Sequence, residues 1–163
     1  MKEKAIIKSQ YGASLEMLRQ AISKCPDSLW HGPEYQNQFW QIAYHTIFYA
    51  HLYLHATEAD FVPWKLHRRE LARFEAAGIA TEQESLYSKD EMLDYLALCL
   101  EQMPGHVDAL DLQAGSGFEW LPFNKLELQF YNIRHIQQHT GELCERLGAV
   151  GGIEIAWVGM IEG

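Results

Sequence analysis

Apolar side chains recur at helical intervals in four separated segments of this chain. In the first, from about Lys4 to Lys24, the residues Tyr11, Leu15, Leu18 and Ile22 are spaced so that they stack on one face of a helix. Pro26 ends that segment. The second runs from about Gln36 to Thr57 and is apolar on nearly every side, which predicts a helix buried all round. The third starts at Ser88, where Ser88 and Glu91 form the S-x-x-E pattern of a capping box. Leu93, Leu96, Leu100, Met103, Val107 and Leu110 then carry its apolar face, with Pro104 inside the run predicting a kink or a helix end. The fourth runs from about Lys125 to Leu147, with Asn124 as N-cap, Glu127 three residues on and Gly148 as the glycine just past its end.

The connections are unequal. A short loop, Pro26 to Tyr35, joins the first two segments. A long stretch, Glu58 to Tyr87, separates the second from the third and holds a candidate short helix, Lys65 to Ala77, stopped by Gly78. The third loop, Gln113 to Phe123, carries Gly115, Gly117, Trp120 and Pro122. The tail after Gly148 is glycine-rich with Ile153, Ile155, Trp157 and Val158, and predicts either a short strand or an ordered tail laid over the helices. The pattern as a whole predicts one all-α domain over residues 1–163. Its expected form is an antiparallel four-helix bundle with a long connection between helices two and three.

Composition narrows the partners. The chain has 163 residues, enough for one domain with a proper core. A formal net charge of −9 repels phosphate backbones, so no nucleic acid partner is expected. The most apolar stretch, Phe39 to Leu54, is broken by Gln41, His45, Thr46 and His51 and is too short and polar to span a membrane. Cys25, Cys99 and Cys144 are odd in number and far apart, which predicts free thiols in a reducing, cytoplasmic compartment. The residues Met1 to Ser9 carry charge throughout and hold no signal-peptide core.

Polar residues on two buried faces supply the candidate chemistry. In the fourth segment His135 and His139 stand one helical turn apart on one face, where two imidazoles can converge on one cation. Asn132 and Glu142 extend the same stripe. In the second segment Gln38, Gln41, His45 and Tyr49 share a face inside an apolar run. Burying such groups without partners costs roughly 1–3 kcal/mol each, so a bound ion or ligand that satisfies them is the economical explanation. Three imidazoles from two facing helices, with water, suit zinc, nickel or ferrous iron. By helical angle His51 points away from His45 and His55 lies to one side; with His31, His67 and His106 they are read as structural or surface residues.

At these residues the chain resembles the DinB-like family of small metal-binding helical bundles, named for a DNA-damage-inducible bacterial protein. The string from Arg134 to Leu143 is similar to the family's RHxxxHxGxL motif, and Ala43-Tyr44-His45-Thr46 sits where the family places its first ligand. The resemblance covers nearly the whole chain and implies a metal triad of His45, His135 and His139. It also implies transferases or isomerases that use a low-molecular-weight thiol such as bacillithiol, mycothiol or glutathione, alongside members of no known activity.

Two function classes follow. In the first, a metal-dependent transferase, the ion activates a thiol against a small-molecule substrate. Glu142 then acts as catalytic proton acceptor or as partner to His139, and Gln38, Gln41, Tyr49 and Asn132 orient the ligand. A hydrolase using metal-bound hydroxide is a variant on the same site. In the second class the bundle is a non-catalytic stress-response or ligand-binding protein with a structural metal, closed by a fourth protein ligand such as Glu142. A symmetric homodimer is also expected, because Trp40, Tyr44, Ile47 and Leu54 give helix two an apolar face opposite His45, and helix four has an apolar reverse face, that one core does not need. The competing expectation is that the Glu58 to Tyr87 connection and the tail cover that face.

Overall fold

In the computed structural model of the chain, residues 2–74 and 86–161 are described. Among them are five helices and no strand: α1 (Lys2–Lys24), α2 (Asp27–Trp30), α3 (Phe39–Tyr53), α4 (Lys89–Ala109) and α5 (Lys125–Gly151). The predicted face of α1 is the buried one, with Tyr11, Leu15, Leu18 and Ile22 fully inaccessible. α2 is a single turn inside the first expected loop. It is anchored by Trp30, whose indole donates to the Tyr87 carbonyl at 2.9 Å.

α3 is shorter than the expected Gln36 to Thr57 at both ends. Its start is fixed by Gln38 and Gln41, whose side chains satisfy each other's backbone amides as a capping box. α4 opens on the Ser88 and Glu91 pair as the sequence predicts. It then runs through Pro104 to Ala109 rather than ending there. α5 starts on Asn124, whose side chain accepts from the Glu127 amide at 2.9 Å. It passes the expected stop at Gly148 and ends at Gly152, which takes the left-handed conformation with φ 62. Within the candidate helix at Lys65 to Ala77, only Arg69–Leu71 is helical among the described residues, as a 3-10 turn; residues 75–77 and Gly78 lie outside them.

Four long helices share the core, with α1 against α4 and α5, and α3 against the same two. Their directions follow from named contacts. Lys8 near the start of α1 pairs with Asp108 at the end of α4, and His55 just past α3 meets Lys125 at the start of α5, so both pairs run antiparallel. Tyr11 meets Gln129 and Met17 meets Gln137, so α1 and α5 run parallel. His51 meets Tyr95 and His55 meets His106, so α3 and α4 run parallel too. The bundle is therefore not antiparallel at every seam. The long connection carries the chain back to the end from which α3 began, and α4 starts there.

That connection also covers the outer face of α3. Trp40, Tyr44, Ile47 and Leu54, the face expected to be surplus, are all buried within the chain. Tyr44 lies against Tyr87 at a ring separation of 4.5 Å, and Trp64 stacks on Tyr95 at 4.5 Å. The tail is extended rather than a strand and lies along α1. Lys24 donates to the Glu154 carbonyl, the Ala156 amide donates to Gln20, and Gln10 donates to the Gly159 carbonyl. No helix among the described residues is long and apolar enough to cross a membrane.

Candidate metal centre

The antiparallel seam of α3 and α5 brings His45, His135 and His139 together. Each offers a ligand nitrogen, and these nitrogens lie within 4.8 Å of one another. Helical spacing puts His135 and His139 on one face of α5, with ring centroids 4.6 Å apart, and α3 delivers His45 opposite them.

The outer nitrogens fix how the rings face. His45 donates through Nδ1 to the Ala72 carbonyl at 2.9 Å, which leaves Nε2 as a bare lone pair. His139 donates through Nδ1 to the Glu142 carboxylate at 2.9 Å, with the same consequence for its Nε2. The Nε2 atoms of His45 and His135 face each other at 3.1 Å. His135 Nδ1 is buried with no hydrogen-bond partner. A lone pair held this close to another imidazole nitrogen needs a proton or a cation between the two. A tetrahedral zinc ion, with bonds of about 2.0–2.1 Å, sets its nitrogens about 3.3 Å apart, close to the 3.1 Å between His45 and His135. The residues fit a divalent ion.

Electrostatics agree with that fit. Burial, and after it the approach of the neighbouring imidazole of His139, pushes the His45 pKa down to about 4. Burial, then His45 and His139, pushes that of His135 down to about 3. Both rings are thus neutral at physiological pH, the state in which imidazole ligates metal. Phe74 stacks on His45 at 4.1 Å and closes one side.

The three histidines line a cavity of about 660 Å³ whose other walls include Tyr49, Tyr53, Glu58, Arg73 and Tyr131. Burial pushes the Tyr53 phenol up to about 12, so it stays protonated and offers a hydrogen rather than taking one.

The remaining sequence-predicted residues divide. Tyr49 is in the cavity wall, 4.8 Å from His45 ring to ring. Glu142 sits behind His139, in the orienting one of its three expected roles, and does not line the cavity. Gln38 and Gln41 are not ligand-orienting groups here. They cap α3, and Gln38 also accepts from the Trp40 indole at 2.6 Å and donates to the His31 carbonyl. Asn132 is wholly buried and ties α5 to α3 by donating to the Ala50 carbonyl, away from the cavity wall. Gln38 and Gln41 lie too far toward the start of α3 to reach the cavity, whereas Asn132 is level with it but turned to α3. Sequence reasoning missed Ala72, Arg73 and Phe74. They come from the long connection, and no spacing rule ties a loop to a helix face. Compared with known protein families, with curated proteins and with solved structures, the chain has no match.

Proposed function

We propose that this chain is a DinB-like metal-binding bundle whose His45, His135 and His139 hold one divalent transition-metal ion, zinc, nickel or ferrous iron, and that it transfers a low-molecular-weight thiol to a small electrophilic substrate. What carries the reading is one arrangement: three ligand nitrogens within 4.8 Å of one another at the wall of a cavity large enough for a small molecule. The long connection between α3 and α4 and the histidine placement on α3 and α5 fit the same family architecture.

When bound, the ion would lower the pKa of a thiol or water in an open coordination position. The chain's own residues would do the rest. Ala72 and Glu142 hold two of the rings with Nε2 inward. Arg73 puts a fixed positive charge on the cavity wall, suited to a carboxylate of the thiol compound. Tyr53 supplies a neutral donor. A structural metal closed by Glu142 is the weaker reading, because that carboxylate is engaged on the outer nitrogen of His139. A hydrolase would use the same open position with water.

The test is cobalt substitution followed by titration with glutathione, bacillithiol or mycothiol. An intense thiolate-to-cobalt band that saturates with thiol is expected. It should vanish in His139→Ala and survive replacement of Cys25, Cys99 and Cys144, which excludes the protein's own sulfur. A cobalt spectrum indifferent to thiol but responsive to small anions would favour the hydrolase. Indifference to both would leave a structural ion.

A further inference from the structure

The H-x-x-x-H spacing occurs twice. Besides His135 and His139, the chain carries His51 in the last turn of α3 and His55 one turn further on. Six residues separate His45 from His51, about 240° around a helix, so the two histidines leave α3 on different sides. His45 looks into the seam with α5, and His51 into the seam with α4. There α4 contributes His106.

The ligand nitrogens of His51, His55 and His106 lie within 4.8 Å of one another, the same limit the first centre meets. Ring centroids are 5.0 Å apart for His51 and His55 and 4.4 Å for His55 and His106. The supporting bonds follow the logic of the first centre. His55 donates through Nδ1 to the His51 carbonyl at 2.9 Å, leaving Nε2 free to ligate. His51 shares a hydrogen bond of 3.2 Å between Nδ1 and the Tyr95 hydroxyl, again on the outer nitrogen. His51 and His55 are both buried and Phe61 sets its edge on each, at 5.1 and 5.2 Å, so their orientation is held by surroundings rather than by water. Crowding two buried imidazoles and a half-buried third into one seam is unfavourable unless something shares their lone pairs. The three histidines line a second cavity of about 750 Å³, to which Asp94 and Glu101 bring two carboxylates that suit a cation.

We propose that His51, His55 and His106 form a second metal site, separate from the first, that takes a borderline divalent ion such as zinc and leaves a coordination position open toward this cavity. The chemistry of the donors is that of the first centre, so the same ions compete for both. The proposal does not rest on the thiol-transfer reading, and either can fail alone.

Zinc titration of untagged, metal-free protein at neutral pH, in competition with a chromophoric chelator, tests it. The wild type is expected to bind two equivalents tighter than about 10 µM. His135→Gln/His139→Gln should keep one, His106→Gln alone should keep one, and the three changes together should keep none. His106 is only half-buried, and circular dichroism checks that its variant folds. In the His135→Gln/His139→Gln protein, zinc should also shift the ring nitrogen resonances of His51, His55 and His106, a readout that needs no change at the second site. If that double variant binds no zinc, or if its equivalent persists after His106→Gln, the second site is refuted. If wild type binds a single equivalent that survives His135→Gln/His139→Gln and is lost with His106→Gln, the second site stands and the first does not.

Discussion

His45 shows how much one residue's surroundings add to what its position in a helix foretells. A histidine in an apolar run is an anomaly that points to a partner, and the i, i+4 pair on α5 says where that partner is. What spacing does not reveal is which nitrogen each ring presents, since that depends on Ala72 from the connection and on the rotamer of Glu142. His51 and His55 were open to the same spacing argument. Helical angle separates them from His45, and only the parallel seam with α4 brings His106 to meet them. We expect His45→Ala, His135→Ala and His139→Ala each to weaken zinc at the first centre by at least about 100-fold, more than the loss of an outer partner brings. Stoichiometric zinc retained there in the His45 variant would break the triad. Glu142→Gln keeps a hydrogen-bond acceptor for His139 but removes the charge that makes the ring a better ligand. A loss of roughly 10-fold to 100-fold in zinc affinity is expected, by chelator competition, with stoichiometry unchanged. No change would mean that Glu142 is a surface carboxylate without influence on the ring.

At the scale of elements, helix starts were the most legible feature. Ser88 with Glu91 and Asn124 with Glu127 are caps that the side chains alone announce, and both form as expected. Helix ends were less legible, because a glycine such as Gly148 permits an end without compelling one, and α5 continues to Gly151. Gln38 and Gln41 are the instructive error. Polar residues on a buried face read as ligand-binding groups from spacing alone, but the start of α3 gives them a backbone role. The end of α3 has a device that pattern could not disclose. Lys125, the first residue of α5, is buried, and its ammonium group donates to the carbonyls of His55, Ala56 and Ser116. It thereby satisfies backbone oxygens just past the end of α3 and ties the third loop to that turn. Gly117 in that loop sits at φ 81, where a Cβ would run into the Ala56 carbonyl, so the close approach needs glycine. Lys125→Met preserves length and apolar stem but strands three carbonyls. We expect a loss of about 2–4 kcal/mol in urea unfolding. A loss under about 0.5 kcal/mol would mean that water serves those oxygens equally well.

The whole molecule joins these local facts through burial. The bundle class was legible because four periodic segments leave few alternatives. The seam directions were not, since they depend on where the long connection lands. That landing also removes the first argument for a homodimer, because Trp40, Tyr44, Ile47 and Leu54 are consumed inside the chain. What remains is the reverse face of α5, where Phe130 is 62% exposed. Sedimentation at micromolar concentration decides: a dimer that Phe130→Glu converts to monomer supports that face, and a monomer from the outset rejects it. The two histidine clusters then make acid stability a property of the entire fold. Burial is the main cause that pushes His45 and His51 down to about 4 and His135 down to about 3, whereas an unfolded imidazole titrates near 6.5. Between those values the unfolded chain binds more protons than the folded one, so stability falls as pH is lowered through that window. Above about pH 7 these groups contribute no slope. Each gives at most about 1.4 kcal/mol per pH unit, so three together approach roughly 4 kcal/mol per unit. Two such units rival the 5–15 kcal/mol typical of a domain. Metal-free protein is therefore expected to lose most of its urea midpoint between about pH 6.5 and pH 4.5, and His51→Gln to flatten that fall. Zinc binds only the neutral rings, so saturating zinc should raise the midpoint at neutral pH and steepen its loss in acid, as protons displace the ion. A midpoint flat from pH 7 to pH 5 in the metal-free protein would mean that the rings accept protons within the folded state, and that the seams open to water far more readily than their burial implies.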